Sequence, residues 1–312
     1  MEKLSATLYK AIQQLEKPKL AEKDILECQI LKKLFEDKYI ADNFAFSGGA
    51  SLFKSYNMIQ RQGPDIDLVC NDFQELGVQR SKKQLNNFKE RFKNYVFDVI
   101  KPKINSIINQ NQQFMIVSDR DWKLLSQNAG GGIKLPSFPT LHLLYKSEFD
   151  GTLEHLSFEI TPRKYDDVNI NNQMIKPYST GQAVANIPTV SYQQTFWDKI
   201  YALHTNAIIE RPRSSGKFSR HYYDVSQIMP NMNLGKTQDL FINIAKYQNT
   251  YTTKQIEFPI DVQTIQLLPD EVILNKLEQD YIDMEKDFVG EHDSWTDIVK
   301  GLMQLNVKLK YL

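Results

Sequence analysis

The chain has 312 residues, enough to bury a substantial core and to form two domains or lobes. Its 41% hydrophobic, 11% aromatic and 24% charged residues are those of a soluble globular protein, and zero formal net charge excludes an indiscriminate polycation. No apolar run approaches the roughly 18 residues that span a bilayer. Met1-Glu2-Lys3-Leu4 lacks the apolar stretch of a secretory signal, and Cys28 and Cys70 cannot make a disulfide framework, so a reducing cytoplasm with no membrane partner is expected.

Leu4, Leu8, Ile12 and Leu15, then Ile25, Ile30, Leu31 and Leu34, recur at helical spacing and predict two helices broken near Lys17-Pro18. Phe44-Ala45-Phe46 reads as a short strand, Gly48-Gly49 as the turn out of it, and 50–59 as a helix. Asp65 to Cys70 alternates polar and apolar residues, a strand pattern. Over 79–109, Leu85, Phe88, Phe92, Val96 and Val99 fall on one stripe of an amphipathic helix. A strand is expected at 114–117, a loop at Gly130-Gly131-Gly132, and a hairpin of 141–149 and 153–161 turned at Asp150-Gly151. After Pro188 the pattern becomes helical, at 193–208, 220–229, 237–247 and from 269 to the C-terminus, while 166–182 and 211–219 read as loops. The expected fold class is α+β: a mixed sheet with flanking helices over 1–185 and an all-helical lobe over 186–312.

Charge is unevenly spread. Between Arg80 and Lys103 there are eight Lys or Arg against Glu90 and Asp98, and Arg211, Arg213, Lys217 and Arg220 follow one another with no acid between. Local basic patches on a neutral chain suit a protein that handles phosphates at one face.

Asp65-Ile66-Asp67-Leu68 is the segment with the most chemistry. Residues two apart in a strand share a face, so both carboxylates project together while Ile66 and Leu68 enter the core. Adjacent carboxylates repel unless a cation lies between them, which makes Mg²⁺ the natural partner, and a two-ion site can run an in-line displacement on an NTP. Glu159, which shares a strand face with Ser157 and His155, is the candidate third ligand or base. Gly48 and Gly49 let backbone N–H groups approach a phosphate, Ser51 adds a hydroxyl, and Lys54 and Arg61 add positive charge. Gly130-Gly131-Gly132 is no P-loop, since no Gly-Lys-Ser/Thr follows, and the five histidines show no zinc spacing.

The run Phe46-Ser47-Gly48-Gly49-Ala50-Ser51-Leu52-Phe53-Lys54-Ser55-Tyr56, followed by Arg61 and Asp65-Ile66-Asp67-Leu68, resembles the AbiEii/AbiGii-type toxin nucleotidyltransferases. Ala50 stands where that family commonly has Thr, and Gly63-Pro64 where Ser-Glu is frequent. Thr195-Phe196-Trp197-Asp198-Lys199 resembles the family's lysine segment, and Arg220-His221-Tyr222-Tyr223-Asp224 its Arg-x-x-x-Asp segment. The resemblance implies a DNA-polymerase-β-like fold and transfer of an NMP from an NTP to an acceptor hydroxyl, with tRNA favoured. It assigns Lys199, Arg220 and Asp224 to the nucleotide and implies a protein antitoxin from a bacterial toxin–antitoxin or phage-defence pair. Alternative readings are the same chemistry on an antibiotic-like small molecule or a protein hydroxyl, and an inactive binding module.

Overall fold

The computed structural model describes residues 6–63, 65–73, 81–110, 114–119, 121–122, 139–164, 168–251 and 261–312. The expected loop at Gly130-Gly131-Gly132 lies outside these residues, as do Leu4, Pro64, 79–80 and the start of the expected loop at Asp166. The chain divides into two compact units, one of 1–56 with 62–190 and the other of 57–61 with 191–312. The change of unit thus falls after Val190, and five residues ahead of the Asp65 strand belong to the second unit.

The first unit is built on a seven-stranded mixed sheet of order β3-β4-β5-β2-β1-β7-β6. Its strands are β1 Phe44–Ser47, β2 Asp65–Cys70, β3 Met115–Ser118, β4 Thr140–Lys146, β5 Leu153–Pro162, β6 Ile170–Ile175 and β7 Ala185–Val190. The central strands are apolar because both sheet faces are covered: Phe44, Ala45, Phe46, Ile66, Leu68 and Val69 are all buried. β2 runs antiparallel to β1 and parallel to β5. The Asp150-Gly151 turn joins β4 and β5 as an antiparallel pair, with Gly151 at φ +69°. Strand β6 occupies part of the expected loop at 166–182. Its Asn171, Asn172 and Gln173 lie on a sheet-edge strand, where one side needs no apolar cover, so the polar composition conceals it. Pro188 similarly masks β7.

Helices flank this sheet. The first two are α1 Ala6–Gln13 and α2 Pro18–Glu36, followed by α3 Lys38–Asn43 and α4 Gly48–Lys54. Pro18 at the first turn starts α2, as its missing N–H is harmless there. The expected helix at 79–109 is α5 Lys82–Tyr95 and α6 Lys101–Ile108, joined by a π turn over Val96–Ile100. One residue is added to the turn there, so the buried stripe steps from Leu85, Phe88, Phe92 and Val96 to Ile100, Ile104 and Ile108. Val99, expected on that stripe, is 48% exposed.

The second unit is helical: α7 Tyr192–Ile208, α8 Arg220–Ile228, α9 Leu234–Tyr251, α10 Glu271–Ile282 and α11 Trp295–Leu309. Ser191, Asp270 and Ser294 cap α7, α10 and α11 by accepting a backbone N–H three residues on. The helical pattern expected from 269 to the C-terminus is two helices, each with its own cap. Tyr222, Tyr223, Tyr281, Phe288 and Trp295 form an aromatic core with ring centroids 4.9 to 6.3 Å apart. Residues 57–61 are stitched to this core. The Gln60 N–H donates to Tyr223 Oη at 2.9 Å, Val289 N–H donates to Gln60 O at 2.9 Å, and Arg61 bridges Phe288 as a strand pair.

Candidate active site

On the first unit, β2 carries the two aspartates. Ile66 and Leu68 are 0% and 1% exposed, whereas Asp65 and Asp67 are half-buried, as strand alternation requires. Asp67 stands opposite Ser47 of β1 on one side and Glu159 of β5 on the other. Asp65 stands opposite Ser157, whose hydroxyl donates to its carboxylate. Asp65, Asp67 and Glu159 therefore share one sheet face in adjacent register, and Glu159 is exposed.

Gly48 makes this arrangement possible. Its φ is +70°, and a Cβ built on it would lie 1.7 Å from Asp67 Oδ2. Only a glycine lets the backbone leave β1 in this direction and pass so near the carboxylate.

The other residues expected around the phosphates are occupied elsewhere. Ser51, expected to offer its hydroxyl to a phosphate, is fully buried, and that hydroxyl donates to the Gly48 carbonyl at 2.9 Å. Lys54 is corrected more strongly. Its ammonium has no exposure, and it pairs with Asp24 and, at 2.7 Å, with Glu27, both on α2. Burial disfavours the ammonium, but these two carboxylates outweigh it and raise the Lys54 pKa. An apolar pocket with two acids accommodates a cation, so Lys54 fastens α4 to α2 instead of facing a phosphate.

Arg61, Lys199, Arg220 and Asp224 all lie in the second unit. Arg61 Nε donates to Asp224 Oδ1 at 2.7 Å, and Nη2 donates to Oδ2 at 2.5 Å, a two-point clamp. Lys199 Nζ lies 2.6 Å from the same Oδ2. Asp224 has no exposure, so it is the buried hub of two cations and not a ligand contact. Burial works against its charge, yet Arg61 and Lys199 outweigh burial and hold its carboxyl well below the usual carboxylate range. Burial, reinforced by Arg61, pushes the Lys199 ammonium down despite Asp224. Arg220 begins α8 and is half-buried, one turn from Asp224. Lys217 of the basic loop pairs with Asp287 at 2.5 Å, and the Lys217 and Ser219 N–H groups donate to Asp280.

The strand pattern had put His155, Ser157 and Glu159 on one face, but not the partners of His155. His142 and His155 are hydrogen-bonded, Asp119 holds His142, and Trp122 stacks on both rings. The observed register, Lys146 opposite Leu153 and His142 opposite Ser157, comes from a six-residue connection over 147–152. A two-residue turn at Asp150-Gly151 would set His142 opposite Glu159, so the His142–His155 pairing was not readable from the turn.

Two aspartates on one face of β2, with the glycine turn that leaves β1 packed against one of them, form the arrangement expected of a phosphoryl-transfer site. Hard carboxylate oxygens suit a divalent cation such as Mg²⁺, which is commonly held by one or two carboxylates plus substrate phosphates. Among the described residues no three His, Cys, Asp or Glu side chains converge as a ready metal cluster; the carboxylates that lie in adjacent register are Asp65, Asp67 and Glu159. Comparison with known proteins gives the class a family: the description "Nucleotidyl transferase AbiEii toxin, Type IV TA system" matches residues 29–300. The chain belongs to this family of nucleotidyltransferase toxins and is a nucleotidyltransferase. Among solved structures it is similar to JHP933 from Helicobacter pylori, at 13% identity over 93% of each chain with a TM-score of 0.46. It is also similar to an antigenic nucleotidyltransferase-like protein from Paracoccidioides brasiliensis, at 14% identity over 74% of this chain and 88% of that one, with a TM-score of 0.39. No curated protein matches the chain. No helix among the described residues is long and apolar enough to cross a membrane.

Proposed function

We propose that the chain moves an NMP from an NTP to a hydroxyl of tRNA in a Mg²⁺-dependent reaction, as the cytoplasmic toxin of a bacterial toxin–antitoxin pair with a protein antitoxin. The supporting observation is the register of β1, β2 and β5, which sets Asp67 between the glycine turn and Glu159 with Asp65 on the same face. Asp65 and Asp67 hold the cation, with Glu159 alongside. When bound, Mg²⁺ supplies positive charge for the triphosphate oxygens and for the leaving pyrophosphate. Ser157 orients Asp65 by donating to it, and Gly48 lets the backbone pass directly against the Asp67 carboxylate. In the second unit, Lys199 and Arg220 are the groups proposed to meet a nucleotide phosphate, with Asp224 and Arg61 positioning the lysine.

tRNA is favoured as acceptor by the family resemblance and by the exposed basic side chains Lys82, Lys83 and Arg91 on α5. The test is incubation with each of four labelled NTPs and Mg²⁺ in the presence of total tRNA, protein and small-molecule fractions. Label is expected in tRNA, lost with EDTA or in Asp65→Asn/Asp67→Asn. Label that enters only the protein or small-molecule fraction would move the acceptor, and label unaffected by EDTA would remove the metal.

A further inference from the structure

On the sheet face that carries Asp65, Asp67 and Glu159 lies a second cluster that the carboxylate chemistry leaves unused. Strand β4 runs beside β5 on the side away from β2 and sets His142 opposite Ser157 and Leu144 opposite His155. His142 Nδ1 and His155 Nε2 are 2.8 Å apart, and His142 Nε2 is 3.2 Å from Asp119 Oδ1. The other Asp119 oxygen accepts the Thr140 N–H at 2.9 Å, which fixes the carboxylate. Trp122 lies flat over both imidazoles, its centroid 4.7 Å from His155 at 6° and 5.1 Å from His142 at 17°.

This series of hydrogen bonds has a direction. A carboxylate at Asp119 only accepts, so neutral His142 carries its proton on Nε2 and accepts at Nδ1. His155 then donates from Nε2, which leaves the lone pair on its Nδ1. An acid that orients a histidine, which in turn orients a second, is the logic by which a base is prepared. His155 lies two residues before Ser157, about 7 Å along the same strand face, and Ser157 donates to Asp65. The groups acting on His155 are His142 of β4, Lys23 of α2 and Asp65 of β2. Burial first, then His142 and Lys23, push its pKa down to about 4, with Asp65 opposing, so the ring is neutral near pH 7.

We infer that His155 accepts the proton of the acceptor hydroxyl during nucleotidyl transfer, with His142 and Asp119 as positioning residues. This rests on the reading of the carboxylate face given above. The acceptor O–H bond breaks and its proton goes to His155 Nδ1. The freed electron pair forms the new bond from oxygen to the α-phosphorus. The bond from that phosphorus to the bridging oxygen breaks, and pyrophosphate leaves with the pair. His142 and Asp119 stabilise the resulting imidazolium through its Nε2 proton, and Trp122 shields the rings from water on one face.

The experiment combines ¹⁵N-histidine NMR of the full chain with the labelled-NTP transfer assay. In wild type, His155 is expected neutral with its proton on Nε2, and Asp119→Asn is expected to disturb that tautomer. His155→Ala is expected to lower kcat by about 100-fold or more, with Mg²⁺-dependent NTP binding unchanged and activity partly restored by added imidazole. His155→Gln, which keeps a donor toward His142, is expected to stay inactive. Restoration by Gln, or a proton found on Nδ1 in wild type, would overturn the relay. So would full kcat in His155→Ala while NTP still binds. Absence of NTP binding by wild type would instead overturn the carboxylate reading, and the NMR arm would still judge the relay.

Discussion

The narrowest constraint in the molecule is the approach of Gly48 to Asp67. Gly48→Ala would force a Cβ to within 1.7 Å of Asp67 Oδ2 at a φ of +70°, where L side chains are strained. Stability is expected to fall by more than about 1 kcal/mol, and Mg²⁺-dependent NTP binding is expected to fall with it. Chemical denaturation and equilibrium dialysis read the two effects, and a variant with wild-type binding would remove Gly48 from the site. This residue was legible because a glycine pair preceded an alternating Asp-x-Asp strand. Asp224 was legible only as one end of an i,i+4 pair with Arg220. Its partner Arg61 is 163 positions away, beyond any local pattern. Asp224→Asn leaves Arg61 and Lys199 buried beside one neutral group, and is expected to cost about 3–5 kcal/mol. The carboxyl's folded pKa lies below its unfolded value, so its stabilisation is full above about pH 4 and declines as pH falls from there toward the folded value. Denaturation midpoints of wild type and Asp224→Asn should converge below about pH 4; a constant gap would contradict the ion-pair origin of the effect.

Among the elements, those with a strong internal period were readable: β2 has the bounds of its alternating pattern, and β4 and β5 form the expected hairpin, although β4 ends at Lys146 and not at 149. Elements whose stability comes from neighbours were not. β6 is polar because it is a sheet edge, and the π turn in the α5–α6 helix shifts the buried stripe by one residue without altering composition. Lys54 shows the same limit at the level of contacts. One helical turn from Ser51, it looked like a phosphate ligand, but its charge is answered by Asp24 and Glu27 of α2. Lys54→Met should therefore act on folding, because two acids would be left buried without their cation. The expected loss is about 3–5 kcal/mol, seen as a lowered denaturation midpoint. A Lys54→Met protein that folds with wild-type stability but binds NTP weakly would return Lys54 to the active site.

For the whole molecule, the α+β class was expected from the order of strand and helix patterns, and the nucleotidyltransferase family chiefly from the glycine-to-aspartate block with two later motifs. The division of the chain was less visible: residues 57–61 join the second unit because Gln60 and Arg61 pair with Tyr223, Phe288 and Val289, none of them near in sequence. The chain thus visits the second unit between α4 and β2, and Arg61 ends that visit four residues before Asp65. The proposed catalytic centre lies on the first unit's strands, in Asp65 and Asp67 as the pair that would hold a cation. The most direct test is equilibrium binding of the four NTPs to wild type and to Asp65→Asn/Asp67→Asn, with Mg²⁺ and with EDTA. Wild type is expected to bind at least one NTP in Mg²⁺, and to lose about tenfold or more in affinity, at least 1.4 kcal/mol, in EDTA or in the double variant. Equal binding by both proteins, or binding indifferent to EDTA, would contradict a carboxylate-held cation as the centre of this enzyme.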